Sequence, residues 1–298
     1  VYELSLAASS PVLAEVAKLD RSLMRGARAK LKARGITEQV PMFNTPRGGM
    51  GVIVDSLVHQ LRSAGVNLRC NAGVDALRAQ DRGWSVDVEH GERMEADAVI
   101  LAVPAFDAAA LMKPFAPEAS ELLRTVRYAS VAIIRLAYAT ASIARPLDGS
   151  GYVAVGADGG LLTACSWASS KWQHLQHPGQ VVLRASVGRM HDTRAGELSD
   201  DELIGAVHNE LTKSLGAKRR PFAADVTRWP NSFPQYEVGH QKRVIEIERL
   251  IASAGTLTLA GAAYRGLGIP ACIKDGVDAA ETVLGRLPTK PRQTRVSP

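Results

Sequence analysis

Cysteine is scarce in this chain: there are three, Cys70, Cys165 and Cys272, far apart and without a C-x-x-C. That spacing excludes a disulfide framework and a zinc cluster, and leaves three buried small hydrophobes in a reducing cytosol as the expectation. No block of Lys and Arg with interleaved aromatic residues occurs, which argues against nucleic acid as a partner. No apolar run is long enough to span a bilayer, and no signal peptide is visible. His174, His177 and His191 form no i, i+4 pair on a helix, so no metal site is expected. No Ser/His/Asp or Cys/His arrangement can be defended, and catalytic side chains are left unassigned. The chain starts at Val1 rather than Met, as a sequence that begins inside a longer gene product would.

What is present is a globular composition. The 298 residues are 46% hydrophobic, enough for a sizeable core and about two domains. Thirty-six basic against 30 acidic residues give a net charge of +6. A mild basic excess suits anionic ligands or membrane surfaces without identifying either.

The hydrophobic pattern predicts an amphipathic helix over 11–34 and a second helix opened by Gly48 and Gly49. The second carries Ile53, Val54, Leu57, Val58 and Leu61 on one face, with Gly65 as its stop and His59 on its surface. Short strands follow at Val66–Cys70, Val74–Arg78 and Trp84–Glu89, resembling a small meander. Ala98–Val103 is apolar throughout, which predicts a central strand buried on both faces. Helices are expected over 105–113 and 117–125. The middle third turns strand-rich, at 131–139, 152–155, 161–167, 181–187 and 224–229. It also holds a helix over 199–215 that opens on a Ser199/Glu202 capping box. A helix over 240–253 then leads to the strand Leu257–Ala260 and a last helix through Val277, Ala280, Val283 and Leu284.

Between that last strand and helix, Gly266, Gly268 and Ala271 spell G-x-G-x-x-A. Such a turn lets a backbone approach a cofactor at the positive end of a helix. An ordinary dinucleotide fingerprint, however, opens the first βαβ unit and is followed about 20 residues later by an acidic residue. Two readings stay open: glycines that only relieve crowding, or a second cofactor contact paired with a primary site elsewhere.

The surrounding residues resemble a known family. Gly261-Ala262-Ala263-Tyr264-Arg265-Gly266-Leu267-Gly268-Ile269-Pro270, with Gly276-x-x-Ala279-Ala280, resembles the C-terminal flavin motif of the amine-oxidase-like FAD enzymes. Within that group the likeness is to the oxygen-dependent protoporphyrinogen and coproporphyrinogen III oxidases. Further matches follow in the same order as in that family: Pro46-Arg47-Gly48-Gly49-Met50, Val74-x-x-Leu77 with Trp84-x-Val86, and Ala96 to Ala105. Arg228-Trp229 and Pro234-Gln235-Tyr236-x-Val238-Gly239-His240 come later. Leu161 to Trp167 with Ser170-Lys171-Trp172 looks most like the Gram-positive, coproporphyrinogen-oxidising branch. The likeness covers about residues 1–287. It departs in one respect: the family's initial G-x-G-x-x-G strand-turn-helix is not in this sequence, so the chain looks like the C-terminal part of such an enzyme.

The resemblance implies an α/β fold, an incomplete FAD-binding (Rossmann-like) domain interrupted by an α+β substrate domain with a mixed sheet. Residues 1–126 and 228–287 would form the FAD domain, with 1–25 the remnant of a helical region. Residues 127–227 would bind substrate, and 288–298 form a disordered tail. It also implies FAD-dependent oxidation of coproporphyrinogen III to coproporphyrin III with O2 as acceptor and hydrogen peroxide as product, a step of heme biosynthesis. Protoporphyrinogen IX, another amine-oxidase-like flavoenzyme and a non-catalytic fragment are the alternatives. The family removes six electrons in three two-electron rounds, and the flavin carries the chemistry. By position, Val74 would contact the adenine end of FAD through its backbone, and Trp229 would flank the flavin region. Gly266, Leu267, Gly268 and Ile269 would approach the isoalloxazine, where a side chain at Gly268 would obstruct. Tyr264 is a weaker flavin-site candidate, and Lys171 and Arg189 are weaker candidates for substrate propionates. A cytoplasmic location is implied, with peripheral membrane contact and a homodimer left open. The chain alone, lacking the primary pyrophosphate site, is expected to show no flavin absorption.

Overall fold

The computed structural model describes residues 44–154 and 159–287, with Arg25, Ala29, Lys30, Lys32 and Ala33. The expected helix over 11–34, those five residues aside, and the tail from Pro288 lie outside the described residues. The chain divides into two compact units, one made of residues up to Val126 and from Tyr236 onward, the other of Arg127–Gln235.

The first unit opens with helix α1 (Gly51–Ser63), and Gly65 follows its end with φ +80°. The expected apolar face is not buried: Ile53, Val54 and Leu57 are 40%, 60% and 54% exposed. No strand forms at Val66–Cys70. The N–H of Val66 is used up on Leu61 O at the end of α1, 2.9 Å away. Arg69 is tethered by its guanidinium to Glu92, at 2.8 and 2.6 Å. The meander is β1 (Val74–Ala79), β2 (Trp84–Val88) and β3 (Glu92–Ala96), all antiparallel. Its inward side chains, Leu77 and Trp84, are almost fully buried, and Trp84 meets Phe115 edge-on at 5.0 Å.

Next come β4 (Val99–Leu101), α2 (Ala105–Met112) and α3 (Pro117–Arg124), and much later α7 (His240–Ile251), β10 (Leu257–Leu259) and α8 (Ile269–Arg286). β4 pairs in parallel with β10, residue for residue from Val99↔Leu257 to Leu101↔Leu259. Only half of the apolar run at 98–103 becomes strand. Among the described residues β10 is its one ladder neighbour, so the expected central position is not seen and Ile100 is 39% exposed. β10 itself is buried throughout. α8 covers it with Ala279 and Val283, one helical turn apart, and α7 buries Val244, Ile247 and Ile251 at the same spacing.

The second unit is a five-stranded sheet in the order β6-β7-β8-β5-β9. The strands are β5 (Tyr128–Ala139), β6 (Gly151–Val153), β7 (Leu162–Trp167), β8 (Gln180–Val187) and β9 (Ala223–Pro234). The mixed sheet expected here is antiparallel at every described pairing. The helical crossover from β8 to β9 skips over β5, so it creates no adjacent parallel pair. That crossover holds the short helix α5 (Arg194–Glu197) and α6 (Asp200–Leu215); a further short helix, α4 (Ala168–Lys171), follows β7. α6 packs Leu203, Val207, Leu211 and Leu215 onto Ile134, Leu136 and Tyr138 of β5 and Leu183 of β8. Each such leucine contributes about 1.5–3 kcal/mol by leaving water. The capping box forms as the sequence predicts: Ser199 Oγ accepts from Glu202 N–H, and Glu202 accepts from Ser199 N–H at 2.8 Å.

β9 continues to Pro234, beyond the strand end expected at 229 and the boundary expected at 227. The ladder with β5 slips at a bulge beside Ser130, whose hydroxyl accepts the Asn231 N–H at 3.0 Å, and resumes at Ala129↔Phe233. Of the cysteines, only Cys165 is buried; Cys70 is exposed and Cys272 half-buried. Cys70 sits in the irregular segment that was expected to be a strand.

Candidate functional site

The G-x-G-x-x-A turn lies at the carboxyl ends of β10 and β4, where open parallel sheets place their ligands. Ala260 N–H bonds to Leu101 O at 3.0 Å, joining the two strand exits. From there Gly261–Gly268 leads into α8, an 18-residue helix with no acidic residue in its first turn. Gly268 is its N-cap and Pro270 lies in its first turn. Among the described residues, the N–H groups of Leu267, Gly268 and Ile269 have no hydrogen-bond partner, and Gly268 and Ile269 are exposed. Three free donors at the positive end of a helix suit an electron-rich or anionic acceptor.

The two motif glycines differ. Gly266 has φ +150°, and a Cβ there would sit 2.5 Å from Ala271 Cβ. The fold itself requires that glycine. Gly268 has ordinary extended angles, and its nearest neighbour to a Cβ would be Pro270 Cδ at 3.8 Å. Nothing in the described chain crowds Gly268.

Three buried side chains hold the turn in place. Tyr236 donates its hydroxyl proton to Ala262 O and accepts the Gly266 N–H at 3.0 Å. His240 stacks on the Tyr236 ring at 4.1 Å and meets Tyr264 O through Nε2 at 3.0 Å. It is fully buried, and among the described residues its Nδ1 has no partner. Burial holds the imidazole below its ordinary pKa, and Arg243 pushes the same way. A neutral ring with its proton on Nε2 fits that bond. Asp275, on the buried side of α8, accepts the Gly261 N–H at 2.7 Å and pairs with Arg265 at 2.8 Å; Arg265 also pairs with Glu248. The Cys272 thiol is raised above its usual pKa, chiefly by burial, so it is a thiol and not a thiolate at neutral pH.

The other candidates lie on other elements of the two units. Val74 opens β1, the edge strand of the meander, beside a bulge, and is 41% exposed. An edge strand keeps some backbone N–H and C=O groups unpaired, which suits a contact through the backbone. Trp229 lies on β9 of the other unit and is 42% exposed, so it is no ordinary core aromatic. Tyr264 is 2% exposed and belongs to the core. Arg189 binds Gly160 O at 2.8 Å and pairs with Asp192, a structural role within its own unit. Lys171 lies over the Trp172 ring. Among the described residues no cluster of metal ligands forms, and no helix is long and apolar enough to cross a membrane.

Residues 3–284 match the family described as flavin containing amine oxidoreductase. The chain belongs to that family. Its relatives include coproporphyrinogen III oxidase from Bacillus subtilis, 31% identical over 95% of this chain and 61% of that protein. The Mycobacterium tuberculosis H37Rv coproporphyrinogen III oxidase is 33% identical over 95% of this chain and 60% of that protein. Protoporphyrinogen oxidase from Bos taurus is 30% identical over 91% and 56%. A crystal structure from Exiguobacterium sp. 255-15, provisionally named a protoporphyrinogen oxidase, superposes with a TM-score of 0.75 at 26% identity, over 95% of this chain and 60% of that one. Reduced UDP-galactopyranose mutase shares the fold, with a TM-score of 0.69 at 17% identity. The chain thus spans about three fifths of the length of these relatives.

In this flavin-containing family, the residues around the turn fit the group. The free N–H donors and the uncrowded Gly268 offer what an electron-accepting ring requires. Tyr236, His240 and Asp275 went unassigned in the sequence. The signal was present in Pro234 to His240, but their partners lie 14–30 residues away along the chain.

Proposed function

We propose that the protein is an FAD-dependent oxidase of coproporphyrinogen III, releasing coproporphyrin III and hydrogen peroxide. The observation that carries this reading is the open start of α8, with the N–H groups of Leu267, Gly268 and Ile269 unpaired beside an uncrowded glycine. When bound, FAD supplies hydride acceptance and reoxidation by O2. Tyr236, His240 and Asp275 fix the turn that would hold the ring, and the α8 N-terminus would stabilise negative charge on it. Val74 would take the adenine end through its backbone, and Trp229 would flank the flavin region. The chemistry rests on the flavin and on burial of the macrocycle, and so asks no strong acid or base of the protein.

The coproporphyrinogen III oxidases among the relatives support this substrate, and the bovine protoporphyrinogen oxidase supports protoporphyrinogen IX as the second reading. The cytoplasmic location that the resemblance implies belongs to the same proposal, as do the peripheral membrane contact and the homodimer that it leaves open. The test uses the protein purified as its gene encodes it and supplied with FAD. Coproporphyrinogen III under air should yield porphyrin fluorescence with accumulation of hydrogen peroxide. Turnover of amines but of neither porphyrinogen would overturn the reading.

A further inference from the structure

α6 packs on one face of the five-stranded sheet; on the other, among the described residues, Arg135, Arg184, Val153 and Trp229 are exposed. Strand alternation sorts the residues. Leu183 and Ala185 of β8 point to the core, and Arg184 between them is exposed on the opposite face. Arg228 of β9 reaches under the sheet to Ala195 O and Leu198 O, which puts its neighbour Trp229 on the other face. Register then defines rows across that face. One row holds Trp229 and Val131, and the next Thr227, Ile133, Ser186, Ala164 and Val153. The third runs Asp225, Arg135, Arg184, Ser166 and Gly151. The first two rows are mostly apolar, the indole and the charged row are about 13 Å apart along the strands, and the apolar pairs Ala137↔Val182 and Ala137↔Ala223 continue the face beyond the charge.

The charged row is unbalanced. Arg135 and Arg184 stand directly opposite each other, a pairing that repels. Arg135 is compensated: its guanidinium forks onto Asp225 at 2.8 and 2.9 Å. Arg184 has no hydrogen bond or ion pair among the described residues, and its other cross-strand neighbour is Ser166, a neutral hydroxyl. The sheet therefore keeps an uncompensated guanidinium on its central strand, within a mostly apolar face. An anion there would relieve the repulsion and gain a planar fork of donors.

We propose that Arg184, assisted by Ser166, receives a peripheral carboxylate of a macrocycle laid on this face and so favours coproporphyrinogen III over protoporphyrinogen IX. The inference rests on the porphyrinogen-oxidase reading. Coproporphyrinogen III carries propionates at two positions where protoporphyrinogen IX carries vinyl groups. A cation without a partner costs desolvation against a vinyl group and is matched by a carboxylate.

The test compares Arg184→Gln and Arg184→Lys with the wild type, each as its gene encodes it and loaded with FAD. Arg184→Gln should raise KM for coproporphyrinogen III about tenfold, the low end for a charge-assisted hydrogen bond, and change kcat little. The change for protoporphyrinogen IX should stay below about threefold. Arg184→Lys should recover much of the loss. Coproporphyrin III, titrated by fluorescence quenching without turnover, should bind Arg184→Gln about tenfold more weakly. The Tm of Arg184→Gln should hold or rise, because a charge opposite Arg135 is gone. Equal losses with both porphyrinogens, no loss with either, or a loss that follows a lowered Tm would each overturn the proposal. If the wild type oxidises neither porphyrinogen yet binds coproporphyrin III more tightly than Arg184→Gln, the activity reading fails and the carboxylate site stands.

Discussion

A glycine in a motif can serve the fold or leave room for a ligand, and Gly266 and Gly268 divide these tasks. Gly266→Ala puts a methyl group against Ala271 at a left-handed φ, and should cost about 2–4 kcal/mol of stability. Gly268→Ala meets only Pro270 Cδ and exchanges one N-cap for a poorer one, about 1 kcal/mol or less. It should nevertheless weaken flavin binding, because the methyl group enters the space beside the free N–H donors. Thermal melts and flavin titration of the two variants would check this; equal loss of stability would contradict the division. The spelling G-x-G-x-x-A was legible in the sequence, but the division was not. The clash at Gly266 comes from Ala271 folding back from the first turn of α8. The same holds for Tyr236 and His240, which the sequence marks only as part of a family-like stretch with no role attached; the chain returns 24–30 residues later to place Tyr264 O and Gly266 N–H against them.

At the scale of elements, local signals were readable and pairings were not. The S-x-x-E at Ser199 announces the start of α6, and the structure closes both of its hydrogen bonds. Ser199→Ala should therefore cost about 1 kcal/mol, measured by equilibrium denaturation of the intact protein. Loss well below half of that would mean that packing of Leu203 and Val207 alone holds the helix end. Val66–Cys70 has strand-like alternation, but its first N–H closes α1 and its arginine is bound to Glu92, so no ladder can form. β4 is shorter than its apolar run because only three residues find partners on β10. β9 is longer than predicted because a bulge carries the ladder past Pro230, which has no N–H to donate. The apolar stripe of α1 was visible in the sequence, but its exposure in the folded chain was not.

The chain folds as two compact units, and each carries a histidine whose proton affinity is depressed, fully buried in the first and half-buried in the second. In the first unit this is His240 beneath the glycine turn. In the second it is His208 on α6, which faces the Tyr138 hydroxyl through Nδ1 at 3.1 Å and is depressed by burial and by Arg220. Unfolded, both would titrate near the ordinary value of 6.5. Between that value and the lower folded one, the unfolded chain binds more protons than the folded chain, so stability rises with pH across the window. It is fully present above pH 6.5 and is lost as pH falls below it. The carboxylates held low by arginine or by a helix cap, Asp192 and Glu202, work in the same direction but only nearer their ordinary values of 3.8 and 4.5. Loss of stability between roughly pH 6.5 and 5 should therefore come mainly from the imidazoles. Denaturation midpoints across that range should fall for the wild type. They should fall less for His240→Gln, which can still donate to Tyr264 O but cannot titrate, and less again when His208→Gln is added. A wild-type midpoint that is flat across this range would show that both rings take up protons in the folded state, and would remove the neutral His240 on which the geometry of the turn depends.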